Sequence, residues 1–363
     1  MSEITEAAVE ASLKHIVDPH TGRDIVSSKL VKGINVDGSK VAVNVTFNYP
    51  AAGWYDTLQG EIADAVGALG EGLEVSVEIA TEVTAHSAQK GVQAIAGVKN
   101  IIAVASGKGG VGKSTVAVNL ALALSAEGAN VGILDADIYG PSQPRMLGVS
   151  GRPESRDGKS LEPMSGYHVQ AMSIGFLIDE ETPMIWRGPM VTQALEQLLK
   201  DTRWRDLDYL IVDLPPGTGD TQLTLAQKVP VSGAVIVTTP QDIALLDARK
   251  AYKMFEKVEI QVLGVVENMS THICSNCGHE EHIFGEGGGR RMAEDYGVEY
   301  LGDVPLDGSI RENADGGRPT VVADPDGRLA QNYRAIARRI AGRLSVSKKS
   351  YSDKFPSIVI QNN

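Results

Sequence analysis

The chain has 363 residues with a formal net charge of −12, from 34 lysines and arginines against 46 aspartates and glutamates. This acidic balance gives no support to a nucleic-acid or anionic-membrane ligand, because both require clustered positive charge. Two cysteines exclude a disulfide scaffold, and neither a signal peptide nor the ~20-residue apolar run of a membrane span is seen. We therefore expect a cytoplasmic protein without nucleic-acid or membrane partners, long enough for one large or two modest domains.

Residues 1–84 are predicted to form a small α+β domain. Ala7–Ile16 suits a short helix, and Asp37-Gly38 separates two alternating apolar runs, which is a strong hairpin signal. Apolar residues then recur at helical spacing over 58–69 and alternate over 73–79. The resulting order is helix, hairpin, helix and strand. A linker rich in small residues follows over 85–98.

From Ile101 the pattern changes to strands and helices in alternation, which predicts a doubly wound, mostly parallel sheet over 99–343. The predicted strands are 101–106, 131–136, 209–213, 234–239, 260–266 and 299–303. The predicted helices are 113–126, 190–200, 220–228, 242–257, 288–296 and 327–343. Residues 344–363 are expected to form a C-terminal tail.

A phosphate-binding loop stands between the first strand and the first helix of this region. Its frame is Gly107-x-x-x-x-Gly112-Lys113-Ser114, in the strand–loop–helix context that the motif requires. The loop predicts that the sheet is of the P-loop NTPase type. Its backbone N–H groups would point at phosphate oxygens, Lys113 would neutralise phosphate charge, and Ser114 would offer its hydroxyl to Mg²⁺. The predicted nucleotide contacts of the loop are Gly107, Lys108, Gly109, Gly110, Val111, Gly112, Lys113, Ser114 and Thr115.

Lys108 is a second lysine in a loop that already has its phosphate lysine. A long cation there could reach a nucleotide on a partner subunit, as an arginine finger does in trans. The alternative is a solvated loop lysine.

Carboxylates end two further strands. Asp135-Ala-Asp137 follows one, and Tyr209-Leu-Ile-Val-Asp213 has the Walker B form. These positions favour Asp213 as a holder of Mg²⁺ and Asp137 as the group that orients the attacking water. The Gly/Pro-rich segment 214–220 that follows Asp213 is typical of a switch segment that senses the γ-phosphate. The predicted catalytic residues are therefore Lys108, Lys113, Asp137 and Asp213.

The two cysteines form Cys274-Ser-Asn-Cys277, and most closed zinc or iron–sulfur sites need four ligands. Three interpretations stay open. One chain could complete a zinc site with two of His272, His279 and His282. A symmetric dimer could pool two cysteine pairs around a [4Fe–4S] cluster. The pair could also be a thiol–disulfide redox centre.

Together these motifs resemble the Mrp/ApbC family of iron–sulfur cluster carrier ATPases, of the MinD/ParA-type deviant Walker A class. The resemblance covers about 99–342. It is carried by the segments 107–115, 134–142, 212–220, 266–270, 274–277, 283–289 and 304–307. It implies ATP-dependent homodimerisation with Lys108 acting across the dimer. It further implies a labile [4Fe–4S] cluster bridged by Cys274 and Cys277 of both subunits, transfer to apo-proteins, exchange with assembly scaffolds, and a part for Asn268 in reading adenine.

Residues 4–82 resemble the small domain, related to iron–sulfur assembly factors, that is often fused ahead of such ATPases. Asp18-Pro-His-Thr-Gly-Arg-Asp-Ile25 carries that match. The cysteine that this domain often has after its central strand is absent from 49–55, so we expect a docking role rather than metal handling.

Two rival functions use the same phosphate loop. A positioning or partition ATPase of the MinD/ParA type would bind membrane or DNA, which the net charge disfavours. An electron-donating reductase of the nitrogenase-reductase type takes its cluster ligands singly from distant positions, whereas here they are close in sequence.

Overall fold

The computed structural model describes residues 4–86, 92–178, 188–274 and 276–347. The middle of the predicted linker (87–91) and most of the predicted tail (348–363) lie outside these residues. The domain boundaries at residues 84 and 98 stay predictions.

The N-terminal region has the predicted helix, hairpin, helix and strand. Its elements are α1 (Glu6–Leu13), β1 (Val31–Asp37), β2 (Lys40–Phe47), α2 (Tyr55–Gly67) and β3 (Glu74–Thr81). Strand β1 pairs antiparallel with β2, and β2 pairs in parallel with β3 after the α2 crossover. Every second residue of β2 from Val41 to Phe47 is buried, as the apolar alternation predicts. Thr5 caps α1 by accepting the Ala8 N–H at 3.3 Å.

The second region is built on an eight-stranded sheet. Its strands are β4 (Val98–Ala105), β5 (Val131–Asp135), β6 (Met164–Gly166), β7 (Val169–Ser173), β8 (Leu207–Asp213), β9 (Gly233–Thr238), β10 (Val262–Asn268) and β13 (Glu299–Val304). A separate two-stranded hairpin is formed by β11 (His272–Ile273) and β12 (Glu280–Glu281). The order in the sheet is β13-β10-β9-β4-β8-β5-β7-β6, and only the β6–β7 pair is antiparallel.

Nine further helices are described. They are α3 (Lys113–Ala126), α4 (Gln143–Met146), α5 (Gly188–Asp201), α6 (Asp220–Lys228), α7 (Asp242–Lys257), α8 (Gly288–Tyr296), α9 (Gly308–Asp315), α10 (Thr320–Ala323) and α11 (Arg328–Ser345). All six strands and six helices predicted for this region are present, and the mostly parallel P-loop NTPase-type fold is confirmed. The helices α3, α6, α7 and α8 have the predicted bounds, whereas the other elements differ at one or both ends. The short elements β6, β7, α4, α9, α10 and the β11–β12 hairpin were not predicted.

The two regions contact each other through α3 and α11. Glu127, the residue that directly follows α3, is buried and accepts the Gly53 N–H at 2.7 Å. The same carboxylate accepts Arg334 Nε at 2.7 Å and Arg338 Nη1 at 2.6 Å, both from α11. The helix that begins at the phosphate loop therefore ends against the N-terminal region.

Within the described residues, no helix has the length and apolar character needed to cross a membrane.

Candidate functional site

The phosphate loop joins the carboxyl end of the central strand β4 to α3. Gly110 and Gly112 have φ angles of 82° and 77°, a left-handed conformation in which glycine is favoured. A Cβ on Gly112 would also overlap the Asn268 amide, and one on Gly107 would overlap the Asp247 backbone. The glycine spacing of the motif is thus imposed by the local backbone and by two neighbouring elements.

Lys113 lies buried at the start of α3 and makes a short ion pair with the buried Asp213 of β8. Its ammonium also donates to the Ser114 hydroxyl at 3.2 Å. The motif residues Lys113, Ser114 and Asp213 therefore come together, as the sequence predicts. A buried lysine held on a carboxylate has a ready alternative partner in a nucleotide phosphate.

Gln143, the first residue of α4, is a site residue that sequence reasoning missed. Its Nε2 donates to Asp213 Oδ2 at 2.9 Å and to the Ser114 carbonyl at 3.1 Å. It is 1% exposed, and its Oε1 is buried without a hydrogen-bond partner among the described residues. The available signal was its place close behind Asp135-Ala-Asp137, in the loop that follows β5.

The two carboxylates after β5 have different surroundings. Asp135 points into the structure and accepts the N–H groups of Ser142 at 2.9 Å and Gln143 at 3.1 Å, and the Ser173 hydroxyl at 3.1 Å. Burial, and next the nearby Asp213 charge, raises the pKa of Asp135 to about 7. These hydrogen bonds fix the conformation of the segment between β5 and α4.

Asp137 is half-buried and closer to solvent than Asp135. Burial raises its pKa above the usual range, while the Lys113 charge opposes that rise. Of the two, Asp137 is the one whose exposure suits contact with a bound ligand.

The segment after Asp213 is tied to the strand beside it. The Gly217 N–H donates to the Ser106 carbonyl at 3.0 Å, and Gln222 Nε2 donates to the Pro216 carbonyl at 2.7 Å. Ser106 also donates its hydroxyl to the Lys108 carbonyl at 2.9 Å, and the Lys108 residue is half-buried. The phosphate loop and the segment 214–220 therefore share a hydrogen-bonded residue.

Asn268, at the end of β10, donates its side-chain amide to the Val111 carbonyl of the phosphate loop at 2.8 Å. It is 7% exposed. The structure thus connects Asn268 to the loop, whereas its contact with adenine stays a prediction.

Cys274 and Cys277 lie at the tip of the β11–β12 hairpin, and both thiols are free. The Cys274 N–H donates to the His279 carbonyl at 2.9 Å, and the Gly278 N–H donates to the Cys274 carbonyl at 2.8 Å, so the turn is tightly closed. Backbone N–H groups of Cys277 and Asn276 hold the pKa of the Cys274 thiol below its ordinary value. Cys277 is exposed and Cys274 half-buried. The hairpin therefore presents two free thiols, one of them exposed, to its surroundings.

Two nearby histidines are engaged elsewhere. His272 Nδ1 lies 3.1 Å from the Leu306 carbonyl, and His282 Nδ1 lies 3.2 Å from the Ser270 carbonyl. Among the described residues no three His, Cys, Asp or Glu side chains are grouped to hold a metal ion. The zinc site predicted as one alternative, with two histidines of the same chain, has no preformed ligand set in that part of the structure.

Two family models match the chain. Residues 97–341 match the model described as NUBPL iron-transfer P-loop NTPase, and residues 6–79 match the model described as iron-sulfur cluster assembly protein. The first covers more than half of the chain and includes the phosphate loop, Asp213 and both cysteines.

Curated relatives agree with the first model. The chain is 63% identical over 263 residues to an iron-sulfur cluster carrier protein of Pseudomonas fragi, covering 72% of this chain and 92% of the relative. It is 47% identical over 337 residues to one of Haemophilus influenzae, covering 93% and 91%. It is 52% identical over 255 residues to the mouse iron-sulfur cluster transfer protein NUBPL, covering 70% and 80%.

Solved structures show the same fold. A nucleotide-binding protein from Archaeoglobus fulgidus in complex with ADP is 40% identical with a TM-score of 0.54, covering 61% of this chain and 88% of that one. The cell division ATPase MinD of Pyrococcus furiosus is 24% identical with a TM-score of 0.50, covering 66% and 98%. The second likeness shows the fold alone.

Proposed function

Because the chain belongs to the NUBPL iron-transfer P-loop NTPase family, we propose that it is an ATPase that carries a [4Fe–4S] cluster and delivers it to apo-proteins. The observation that carries the proposal is the exposed cysteine hairpin on the same chain as a complete phosphate loop. Assembly scaffolds would supply the cluster. Free thiols and a labile cluster suit a reducing compartment, so we place this activity in the cytoplasm.

The cluster is cargo, held by Cys274 and Cys277 of two copies. One chain contributes two thiolates, and a [4Fe–4S] cluster takes four. The hairpin favours the thiolate form of Cys274, because backbone N–H groups lower the pKa of that thiol. Exposure of Cys277 leaves the pair open to a second hairpin and to a recipient protein.

Mg²⁺–ATP is the nucleotide that the other site fits. Its donor set is oxygen-rich, with the Ser114 hydroxyl and the carboxylates of Asp137 and Asp213, as hard cations prefer. When bound, Mg²⁺ would neutralise charge on the phosphates. Lys113 would move its ammonium from Asp213 to phosphate, and Asp137 would orient the attacking water.

A second copy of the chain is supported by large apolar side chains beside this site. Ile243 and Leu246 are 65% and 53% exposed in the first turns of α7, and Tyr139 is 63% exposed after β5. All three follow the carboxyl ends of parallel strands, the edge that carries the phosphate loop. Large apolar groups exposed along the same edge of the sheet would fit an interface with a second copy. Lys108 would then reach the partner's nucleotide, and closure would bring the two hairpins together.

The test is anaerobic cluster reconstitution followed by transfer to an apo-enzyme that requires a [4Fe–4S] cluster. Cys274→Ser and Cys277→Ser should each lose cluster absorbance and transfer. His279→Ala is the control, because its backbone contact with Cys274 persists, and it should keep both. Full absorbance in the cysteine variants would refute the cluster site, and loss in His279→Ala would favour a histidine-containing metal site.

A further inference from the structure

One buried amide connects the phosphate loop, the Walker B carboxylate and the loop after β5. Gln143 Nε2 reaches Asp213 Oδ2 and the Ser114 carbonyl, while its own backbone N–H bonds Asp135 Oδ2 at 3.1 Å. These contacts use both amide hydrogens on the two groups that flank Lys113. Among the described residues, Gln143 is thus bonded at once to Ser114, Asp135 and Asp213.

The orientation of this amide is fixed by its partners. Both neighbours of Nε2 are acceptors, so turning the amide over would set its oxygen against a carboxylate and a carbonyl. Oε1 must therefore point away from them, where it is buried without a donor among the described residues. An unsatisfied buried acceptor costs about 1–3 kcal/mol. Such a cost at a ligand site is recovered when the ligand brings a donor.

The groups around Gln143 Oε1 indicate which ligand could donate a hydrogen bond to it. Oε1 shares a carbon with an amide nitrogen that is bonded to Asp213 Oδ2 and to the Ser114 carbonyl, so it adjoins the oxygen-rich cluster that fits Mg²⁺. Mg²⁺ keeps several of its waters when it binds to proteins, and each such water is a strong donor. A hydrated divalent cation beside Ser114 would bring a proton to Oε1.

We propose that Gln143 is a positioning residue of the Mg²⁺–nucleotide site, holding the Asp213 carboxylate and the Ser114 backbone through Nε2 and accepting a metal-bound water through Oε1. This inference rests on the Mg²⁺–ATP part of the proposed function. Its physical advantage is that an amide adds no charge. It can hold Asp213 after Lys113 moves to phosphate without repelling Asp135 or competing for the cation.

The test compares the affinity of a fluorescent ADP analogue in Mg²⁺ with its affinity in EDTA. In wild-type protein, Mg²⁺ should tighten binding. In Gln143→Leu, which keeps similar volume, this tightening should fall about tenfold, or about 1.4 kcal/mol, while affinity in EDTA stays within about twofold. Gln143→Met, which keeps the unbranched shape, should show the same loss of Mg²⁺-dependent tightening. This second variant provides the test if the leucine variant does not fold.

Gln170→Leu is the matched control. Gln170 also uses both ends of its amide, on the backbone of Arg205 at 2.8 and 3.0 Å, but on strand β7, which lies next to the edge strand β6. The Gln170→Leu variant should bind the ADP analogue with wild-type affinity in both Mg²⁺ and EDTA. Equal Mg²⁺ tightening in wild type and both Gln143 variants would overturn the inference. So would a loss of equal size in Mg²⁺ and EDTA, which would mean that Gln143 only supports the loop. Absence of tightening in wild type itself would overturn the Mg²⁺–ATP assignment together with it.

Discussion

Asp213 is the residue on which the nucleotide site depends, because its two oxygens are divided between Lys113 and Gln143. A buried ion pair is costly unless its remaining lone pairs are satisfied, and here an amide satisfies them. Lys113 can move away from Asp213 while the carboxylate keeps its hydrogen bond from Gln143. The Lys113–Asp213 ion pair is therefore suited to opening when a negatively charged ligand binds Lys113, and its role is not limited to stabilising the fold.

The buried carboxylate of Asp18 should make the stability of the N-terminal region depend on pH. Burial would raise its pKa, but hydrogen bonds from His20, Thr21 and Tyr49 outweigh burial and hold the pKa below the ordinary value of an aspartate. The charged form is therefore favoured by folding, and the stability it adds is present above the unfolded pKa and lost as pH falls through the folded one. Asp18→Asn should lower the free energy of unfolding by about 2 kcal/mol at pH 7, and by less below pH ~4.

Urea unfolding measured by tryptophan fluorescence at a series of pH values would check this. The control is Glu10→Gln, an exposed carboxylate on α1 whose pair with Lys14 is long at 3.8 Å and exposed. Glu10→Gln should change the free energy of unfolding only slightly at any pH. A penalty for Asp18→Asn that grows as the solution is acidified would contradict the account.

At the scale of elements, the phosphate loop depends on a neighbour from β10. Gly112→Ala would place a methyl group against the Asn268 amide and hold alanine at a φ of 77°. Gly128→Ala, beyond the end of α3, has the same backbone problem at 98° but open space around it. Both should cost about 1–2 kcal/mol in stability, and only Gly112→Ala should weaken ADP binding, by more than about tenfold.

Denaturant unfolding and nucleotide titration of both variants would separate the two effects. Equal ADP affinity in Gly112→Ala and Gly128→Ala would show that the Asn268 contact has no part in shaping the loop.

Sequence patterns predicted the long elements and the motif residues but not the short elements. Strands such as β4 and β8 are continuous apolar runs that end in a motif, whereas β6 has three residues and β11 and β12 have two each. Such segments are too short to show a period. The β6–β7 connection also places Tyr167 and His168 at φ angles of 51° and 64°, for which non-glycine residues give no sequence signal.

The same limit applies to the site. Lys113, Ser114 and Asp213 belong to motifs whose spacing encodes their role. The contacts of Gln143 with Asp213 and Ser114, and the bond from Asn268 to Val111, depend on how separate segments meet, so these contacts do not follow from local sequence.

At the scale of the whole molecule, Glu127 connects the two regions. Its buried carboxylate accepts Gly53, Arg334 and Arg338, so its removal would leave two arginines without their partner. Glu127→Ala should lower the free energy of unfolding by about 3 kcal/mol or more.

The control is Glu256→Ala, which removes an exposed pair with Lys253 and should cost at most about 1 kcal/mol. Thermal or urea unfolding would compare them. Losses of similar size would mean that Glu127 does not fasten the N-terminal region to α3 and α11.

The central claim is that two chains share one cluster. The most direct measurement is iron and acid-labile sulfide content per chain of the anaerobically reconstituted protein, with its mass determined in the same sample by sedimentation. The account predicts a dimer with about four irons and four sulfides per two chains. A monomer with a full cluster, or one zinc per chain without sulfide, would contradict it.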